Sequence, residues 1–337
     1  MVGDEFKDIK TNPRTYEFVD IKPPRGLLSN EEARAWTHPR LGRLLLDLLG
    51  VWLQIVLSVA LYLHFPTPGV YLLAIILIAG AQHACAIITH EGVHYLLLPQ
   101  NRAFNDKLAS WLFASPVLLP FSTYRRRHMD HHRHVSTEDD TKELYRRSLC
   151  GWRLGFEVAR SLTGLDFLSQ VLLTLRDRSR KSAKKTAGKG PGMIGDLLAI
   201  GLAQLALMAL FSIWDWRLYF LLWVVPLLTF LQLYSKIRSA AEHQPFEHDL
   251  PQEPEPDSPY FKGTTTPWLR SIQATPIERL LLTRINFHYH AEHHLWPQVC
   301  YQYLPILSRR LKEQRDFQGV VFEGSYLSVI TKMARGY

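Results

Sequence analysis

The sequence predicts an all-α integral membrane protein with four transmembrane helices, arranged as two hairpins below a cytoplasmic helical cap that holds a metal site. Three observations predict this class: four apolar stretches, very short connections within two pairs of them, and clusters of histidine between the pairs and after the second pair. A helix needs roughly 20 residues to cross a hydrocarbon core about 30 Å thick. The mean hydropathy of −0.07 hides the pattern, because most charged residues lie between the apolar stretches.

The predicted spans cover residues 44–65, 69–89, 193–214 and 217–235. Pro66–Gly69 joins the first pair and Asp215–Trp216 joins the second. Turns this short make successive helices antiparallel neighbours. We therefore predict a cytoplasmic N-terminal segment at 1–40 and one membrane domain at 41–337, with cytoplasmic parts at 90–192 and 236–337.

The charge distribution predicts the orientation. Residues 101–192 carry 18 Lys and Arg, whereas the hairpin tips carry only Arg217. The positive-inside rule then places both termini and the long middle segment in the cytoplasm. The net charge of +8 comes without a compact basic domain, which favours contact with a lipid surface over nucleic acid. Three cysteines cannot form a disulfide framework, and this favours a reducing compartment.

Two further apolar segments are too interrupted to span a membrane. Residues 108–121 are broken by Pro116 and Pro120, and residues 152–175 alternate apolar and charged side chains. We predict that the second segment is an amphipathic helix on the membrane surface. Residues 178–192 are predicted to form a mobile basic loop, and residues 251–267 a proline-rich connector.

Ten of the fifteen histidines form three tight clusters. The first is His90-Glu91-Gly92-Val93-His94, whose two imidazoles lie one helical turn apart. The second and third are H-x-x-H-H boxes at 128–132, followed by His134, and at 290–294, preceded by His288. Helical positions i, i+3 and i+4 cover about 100° of arc, so each box is expected to aim three imidazoles at one point.

Eight box histidines exceed the four ligands that one zinc ion takes, so the sequence predicts two metals. Nitrogen-rich sites with open positions suit iron and dioxygen chemistry, although histidine also binds zinc, copper and nickel. A site where spans meet the cytosol predicts a substrate dissolved in lipid and a soluble reductant.

The boxes HEGVH, HMDHH and HAEHH, with one membrane hairpin between the second and third, resemble those of the membrane fatty acid desaturases and the related hydroxylases and carotenoid oxygenases. The resemblance covers the chain from about Leu41, and residues 286–297 with Tyr303–Pro305 are similar to the lipid desaturase branch. It implies a di-iron centre, dioxygen as co-substrate and an acyl chain carried by a lipid or thioester. With no fused haem or flavin domain recognised, it also implies a separate electron donor of the ferredoxin or cytochrome type.

The resemblance implies nine iron ligands, the ninth from the segment before the third box: His90, His94, His128, His131, His132, His243, His290, His293 and His294. Six neighbours are candidates to orient these rings: Glu91, Asp130, His134, Asn286, His288 and Glu292. For the three acidic residues the alternative is a solvated helix charge. Asn286 is expected either to reach a metal through water or to cap a helix.

Three other activities compete with acyl desaturation. A lipid or carotenoid hydroxylase or ketolase would use the same centre, and the outcome depends on small differences in substrate position. His90-Glu91-x-x-His94 also fits the zinc metalloprotease motif, with Glu91 as general base, but it leaves both H-x-x-H-H boxes unexplained. A metal carrier would need more polar residues within the spans.

Overall fold

The computed structural model describes residues 23–24, 26–135, 151–172, 192–243, 269–314 and 320–335. Residues 178–191 of the predicted basic loop and the predicted connector at 251–267 lie outside these ranges. The described part is almost entirely helical, and four of its helices are long and apolar enough to cross a membrane. This confirms the predicted class of helical membrane protein.

Fourteen α-helices and two strands follow one another in the described residues. The helices are α1 (Asn30–Ala35), α2 (Leu41–His64), α3 (Pro68–Val93), α4 (Arg102–Ala109), α5 (Phe121–His134), α6 (Trp152–Leu162), α7 (165–172), α8 (Gly192–Phe211), α9 (Val225–Leu228), α10 (Phe230–His243), α11 (Pro276–Leu281), α12 (His290–Leu295), α13 (Leu304–Glu313) and α14 (Tyr326–Arg335). Strands β1 (Arg270–Ile272) and β2 (Val321–Glu323) pair in parallel.

The four spans are α2, α3, α8 and a composite fourth span, Tyr219–His243, in which a π-helical turn at Tyr219–Val224 precedes α9 and α10. Two of them run past their predicted ends at residues 89 and 235. Polar residues lower the hydropathy there, yet their side chains are buried inside the protein, as Glu91 and Glu242 show with no exposed surface. These two extensions carry histidines into the core.

Helix α3 is the centre of the bundle. It packs along α2 and also contacts α10 and α11. Its middle is buried, whereas α2 and α8 expose leucines such as Leu46 and Leu205 on their outer faces. Exposed apolar faces on long helices are what lipid contact requires.

The predicted break near Pro116 is present in the structure. After α4 the chain forms a π-helical turn and a 3₁₀ turn, and Leu118 then adopts a left-handed conformation with φ of +57°. The freed carbonyl of Pro116 accepts bonds from Gln204 Nε2 at 2.9 Å and Trp223 Nε1 at 3.2 Å. Irregular backbone is tolerated among membrane helices only when neighbours satisfy it in this way.

The described part of the predicted amphipathic segment, 152–172, is two helices, because Gly164 adopts a φ of +77° and ends the first. One face of α6 and α7 exposes large apolar side chains, including Trp152 and Leu172. On the other face, Glu157 Oε2 accepts a bond from Lys236 Nζ of α10 at 2.5 Å. The ion pair between Glu157 and Lys236 therefore holds α6 against the fourth span.

The described part of the N-terminal segment lies against the C-terminal region. Trp36 stacks on Tyr303 with ring centroids 5.3 Å apart, and Arg310 of α13 donates two bonds to the Glu32 carboxylate. The Cys300 amide also donates to the Trp36 carbonyl at 2.9 Å. We call residues 26–40 the N-terminal strap.

Candidate metal centre

The first two imidazoles come from the end of α3. His90 lies in the last turn of α3. His94 is the C-cap residue of this helix, and the next residue, Tyr95, leaves the helical conformation with a φ of +62°. Gly92 between them permits close approach of α4: a Cβ at that position would lie 2.3 Å from the Cβ of Ala109. The approach of α4 thus depends on the glycine inside the first box.

Helix α5 carries the second box, and two neighbouring elements fix its position. Asp196 of α8 accepts bonds from the Ser122 amide at 2.9 Å and from the Ser122 hydroxyl. A carboxylate at a helix N-terminus satisfies free amides and interacts favourably with the helix dipole. Arg125 donates two bonds of 2.6 Å to Asp106 of α4. Both contacts fix the direction in which the box histidines point.

The remaining imidazoles come from α10 and α12. His243 ends α10, where Arg270 Nη1 donates to the Ala241 carbonyl at 3.3 Å. Before α12, Ile285 and Asn286 both adopt left-handed conformations, with φ of +56° and +59°. This conformation is unfavourable for a β-branched residue such as Ile285. The strained turn leads directly into the third box.

The nine predicted histidines meet in two adjacent groups. The five-imidazole group comprises His90, His94, His128, His132 and His293. Two further sets overlap at His243: His131, His243 and His294 form one, and Glu242, His243 and His290 form the other. Because His290 Nε2 lies 2.7 Å from His243 Nε2 and 3.0 Å from His294 Nε2, we call His131, His243, His290 and His294 the four-imidazole group. The sequence predicted the members but not this division.

Each H-x-x-H-H box is split between the groups, so the expectation that a box aims three imidazoles at one point is wrong. In both boxes the i and i+4 residues stay together and the i+3 residue joins the other group. His131 therefore lies in a different group from His128 and His132, and His293 lies in a different group from His290 and His294. Positions i and i+4 are 40° apart around a helix, whereas i+3 and i+4 are 100° apart.

The geometry fits metal ions. Nε2 atoms of different rings lie 2.7 Å apart for His90 and His293, 2.8 Å for His94 and His128, and 2.7 Å for His243 and His290. Nitrogens about 2.0–2.1 Å from a shared metal ion are separated by roughly 3 Å. Burial lowers the pKa of His94 to about 3, so its ring is neutral at pH 7, as metal binding requires.

Comparison with known proteins agrees with this geometry. A model of the fatty acid desaturase family matches residues 66–325, which include all nine histidines. The chain belongs to the fatty acid desaturase family. No curated protein sequence matches it. Family membership makes the chain an oxidoreductase, and the zinc protease motif accounts for only two of the nine imidazoles.

Four of the six predicted supporting residues of this desaturase-family site make their described contacts away from the imidazoles. Asp130 pairs with Arg133, and the His134 ring lies 3.1 Å from the Asp130 carbonyl. The His288 ring contacts Tyr289, and burial lowers the pKa of His288 to about 3. Glu292 accepts a bond from the Ser271 hydroxyl, and burial raises the pKa of its carboxyl.

The other two supporting residues lie nearer the site's framework. Glu91 is fully buried in the last turn of α3, one residue from His90, but joins neither imidazole group. Asn286 donates from Nδ2 to the Tyr301 carbonyl at 3.3 Å, and so ties the strained turn to the start of α13.

Three residues that the sequence did not single out surround the desaturase-family imidazoles. Phe287 packs edge-on against His90 with ring centroids 4.5 Å apart, and Tyr124 stacks on His128 at 5.6 Å. Glu242 Oε2 lies 3.5 Å from His290 Nδ1. A signal for Glu242 was present, because the acid directly precedes His243 at the end of a buried helix.

Proposed function

We propose that this protein is a membrane enzyme that desaturates a fatty acyl chain, using dioxygen and two irons held by the nine histidines. The observation that carries the proposal is the meeting of nine imidazoles in two adjacent groups. Membership of the desaturase family supports iron as the metal.

The chain's own residues prepare the site for this chemistry. Five imidazoles would hold one iron and four the other. When bound, the pair would supply the oxidising power needed to remove two hydrogens from unactivated carbons. Burial lowers the pKa of His94 and of His294, which keeps these two rings neutral and available as ligands. Phe287 and Tyr124 cover ring faces and edges with apolar surface, which excludes water from that side of the site.

The position of the site supports a lipid substrate. His90 and His243 end α3 and the fourth span, so the imidazoles lie where two apolar helices terminate. The exposed apolar face of α6 and α7 continues this surface next to α10. We infer an acyl chain entering from the membrane as a lipid or thioester, and electrons arriving from a separate cytoplasmic ferredoxin-type or cytochrome donor.

The metal content tests the proposal without substrate or reductant. Protein purified in mild detergent should contain about two irons per chain, and His293→Ala should lower this number while leaving membrane insertion intact. One zinc and no iron, after a control for metal exchange during expression, would contradict it.

The reaction itself is tested in a desaturase-negative host supplied with a compatible electron donor. New unsaturated acyl chains are expected from the wild type and absent with His293→Ala. Hydroxylated products would instead support the lipid hydroxylase, which shares the first hydrogen removal and differs in substrate position.

A further inference from the structure

A buried carboxylate lies behind the four-imidazole group. Glu242 has no exposed surface, and its Oε2 is 3.5 Å from His290 Nδ1. The opposite ring nitrogen, His290 Nε2, faces His243 Nε2 at 2.7 Å and His294 Nε2 at 3.0 Å. The carboxylate is therefore on the side of the ring that faces away from the metal position. An acid there orients the ring and increases its basicity as a ligand.

Two further side chains hold the Glu242 carboxylate in place. The Tyr326 hydroxyl donates to Oε1 at 2.8 Å, and Arg238 Nη1 donates to Oε2 at 2.6 Å. The Arg238 guanidinium also lies 4.6 Å from the centre of the Phe287 ring, which packs against His90. Buried charge is tolerated only with such partners.

Tyr326 is the most informative member of this chain of contacts. It is fully buried at the start of α14, and it lies one residue beyond the region that matches the desaturase family. Its hydroxyl is the only group by which its side chain can donate to Glu242.

We propose that Tyr326 is a positioning residue, which holds Glu242 against His290 and thereby selectively strengthens metal binding by the four-imidazole group. The proposal rests on the proposed function, because it requires two bound metals. Removing the hydroxyl should affect one metal and spare the other.

The test is iron release from the purified full-length protein to an excess of a colorimetric Fe(II) chelator. Tyr326→Phe should release one of its two irons about tenfold faster, and Glu242→Gln should do so by about 10–100-fold. Tyr301→Phe is the matched control, because its buried hydroxyl also donates at 2.8 Å to a carboxylate, that of Asp47. This control should release both irons at the wild-type rate.

Combination with ligand variants identifies which iron responds. In a His132→Ala background, the iron that remains should be released faster when Tyr326→Phe is added. In a His131→Ala background, the added change should have no effect. If Tyr326→Phe does not accumulate, Glu242→Gln in the same two backgrounds decides the question.

Two kinds of failure are distinguishable. A wild-type protein without two irons overturns the proposed function. If the wild type holds two irons, the variants Tyr326→Phe and Glu242→Gln test the positioning role alone. That role is overturned if both variants release their irons at the wild-type rate, or if both irons are released equally faster.

Discussion

Neighbouring residues on α5 belong to different imidazole groups. His131 and His132 are adjacent in sequence, yet they belong to the four- and five-imidazole groups respectively. His134, two residues further, lies within 3.1 Å of a backbone carbonyl of its own helix. The three residues therefore allow a test of ligation within one helical turn.

We expect His131→Ala and His132→Ala each to lose about one of two irons and to reduce turnover at least 100-fold, because each removes a ligand from a different metal. His134→Ala should retain close to two irons. Iron analysis and Mössbauer spectra should show that the two ligand variants keep different irons. Identical residual spectra would contradict the division of the box.

Buried imidazoles also predict how stability depends on pH. Burial lowers the pKa of His94 and of His288 to about 3, below the value near 6.5 in an unfolded chain. Between these values the unfolded chain binds more protons. The stability contribution is therefore fully present above pH 6.5 and is lost as the pH falls toward 3, by up to about 1.4 kcal/mol per pH unit per group.

The thermal midpoint of the metal-free protein in detergent should therefore fall steadily from pH 7 to pH 5. His288→Asn should make the fall shallower, whereas His38→Asn, at an exposed position, should leave it unchanged. A midpoint that is constant or rises on acidification would refute this account.

The histidines that meet in space were predictable from sequence, whereas the side chains around them were not. Histidine spacing is a local property, and it identified the eight box residues. His243 required the resemblance to known desaturases. The division into two imidazole groups depends on how α3, α5, α10 and α12 meet in space, which spacing within one box does not encode. The contact between Glu242 and Tyr326 was not predictable, because the two residues are 84 positions apart.

At the scale of elements, Asp196 of α8 caps the N-terminus of α5. This contact connects a membrane span to the helix that carries the second box. The α5 segment begins after Pro120 without a side-chain cap of its own, and Asp196 supplies one from another element. Sequence analysis predicted both helices but not this contact, because the two residues are 74 positions apart.

Asp196→Ala should destabilise the protein by about 1 kcal/mol, the usual effect of losing a helix cap, and should lower iron retention. The measurement is the thermal midpoint together with iron per chain. Asp215→Ala is the control, because Asp215 accepts the Arg217 amide at the same distance of 2.9 Å but far along the chain from the ligand helix. Equal iron loss in both variants would contradict a specific role for Asp196.

At the scale of the whole molecule, the hydropathy pattern predicted four spans correctly and misplaced the ends of two. Hydropathy falls where polar residues begin, so it predicted that the spans end there. Helices α3 and α10 nevertheless continue, because the rest of the protein buries those polar residues. The bundle also includes α2, which precedes the family match. Arg284 donates to Gln54 of α2 at 2.5 Å, and Gln54 donates to the Leu77 carbonyl of α3 at 2.7 Å.

The predicted orientation places both termini and the imidazoles in the cytoplasm, and cysteine labelling tests it. In a Cys150→Ser background, Thr67→Cys and Ser212→Cys should react with an impermeant maleimide added outside intact cells. Gln298→Cys should react only after permeabilisation. All three positions are exposed, and the native Cys85 and Cys300 are buried. External labelling of Gln298→Cys would show the opposite orientation and contradict the prediction.

The distribution of ligands along the chain has a consequence for biosynthesis. Each imidazole group includes at least one residue of α12, so neither is complete when the four spans have left the ribosome and entered the membrane. The N-terminal strap is translated before the four spans, yet its partner α13 emerges after α12. Under the proposed function, iron insertion would therefore be a late event in maturation, and a nascent chain halted before residue 290 would be a membrane-integrated protein with neither group complete.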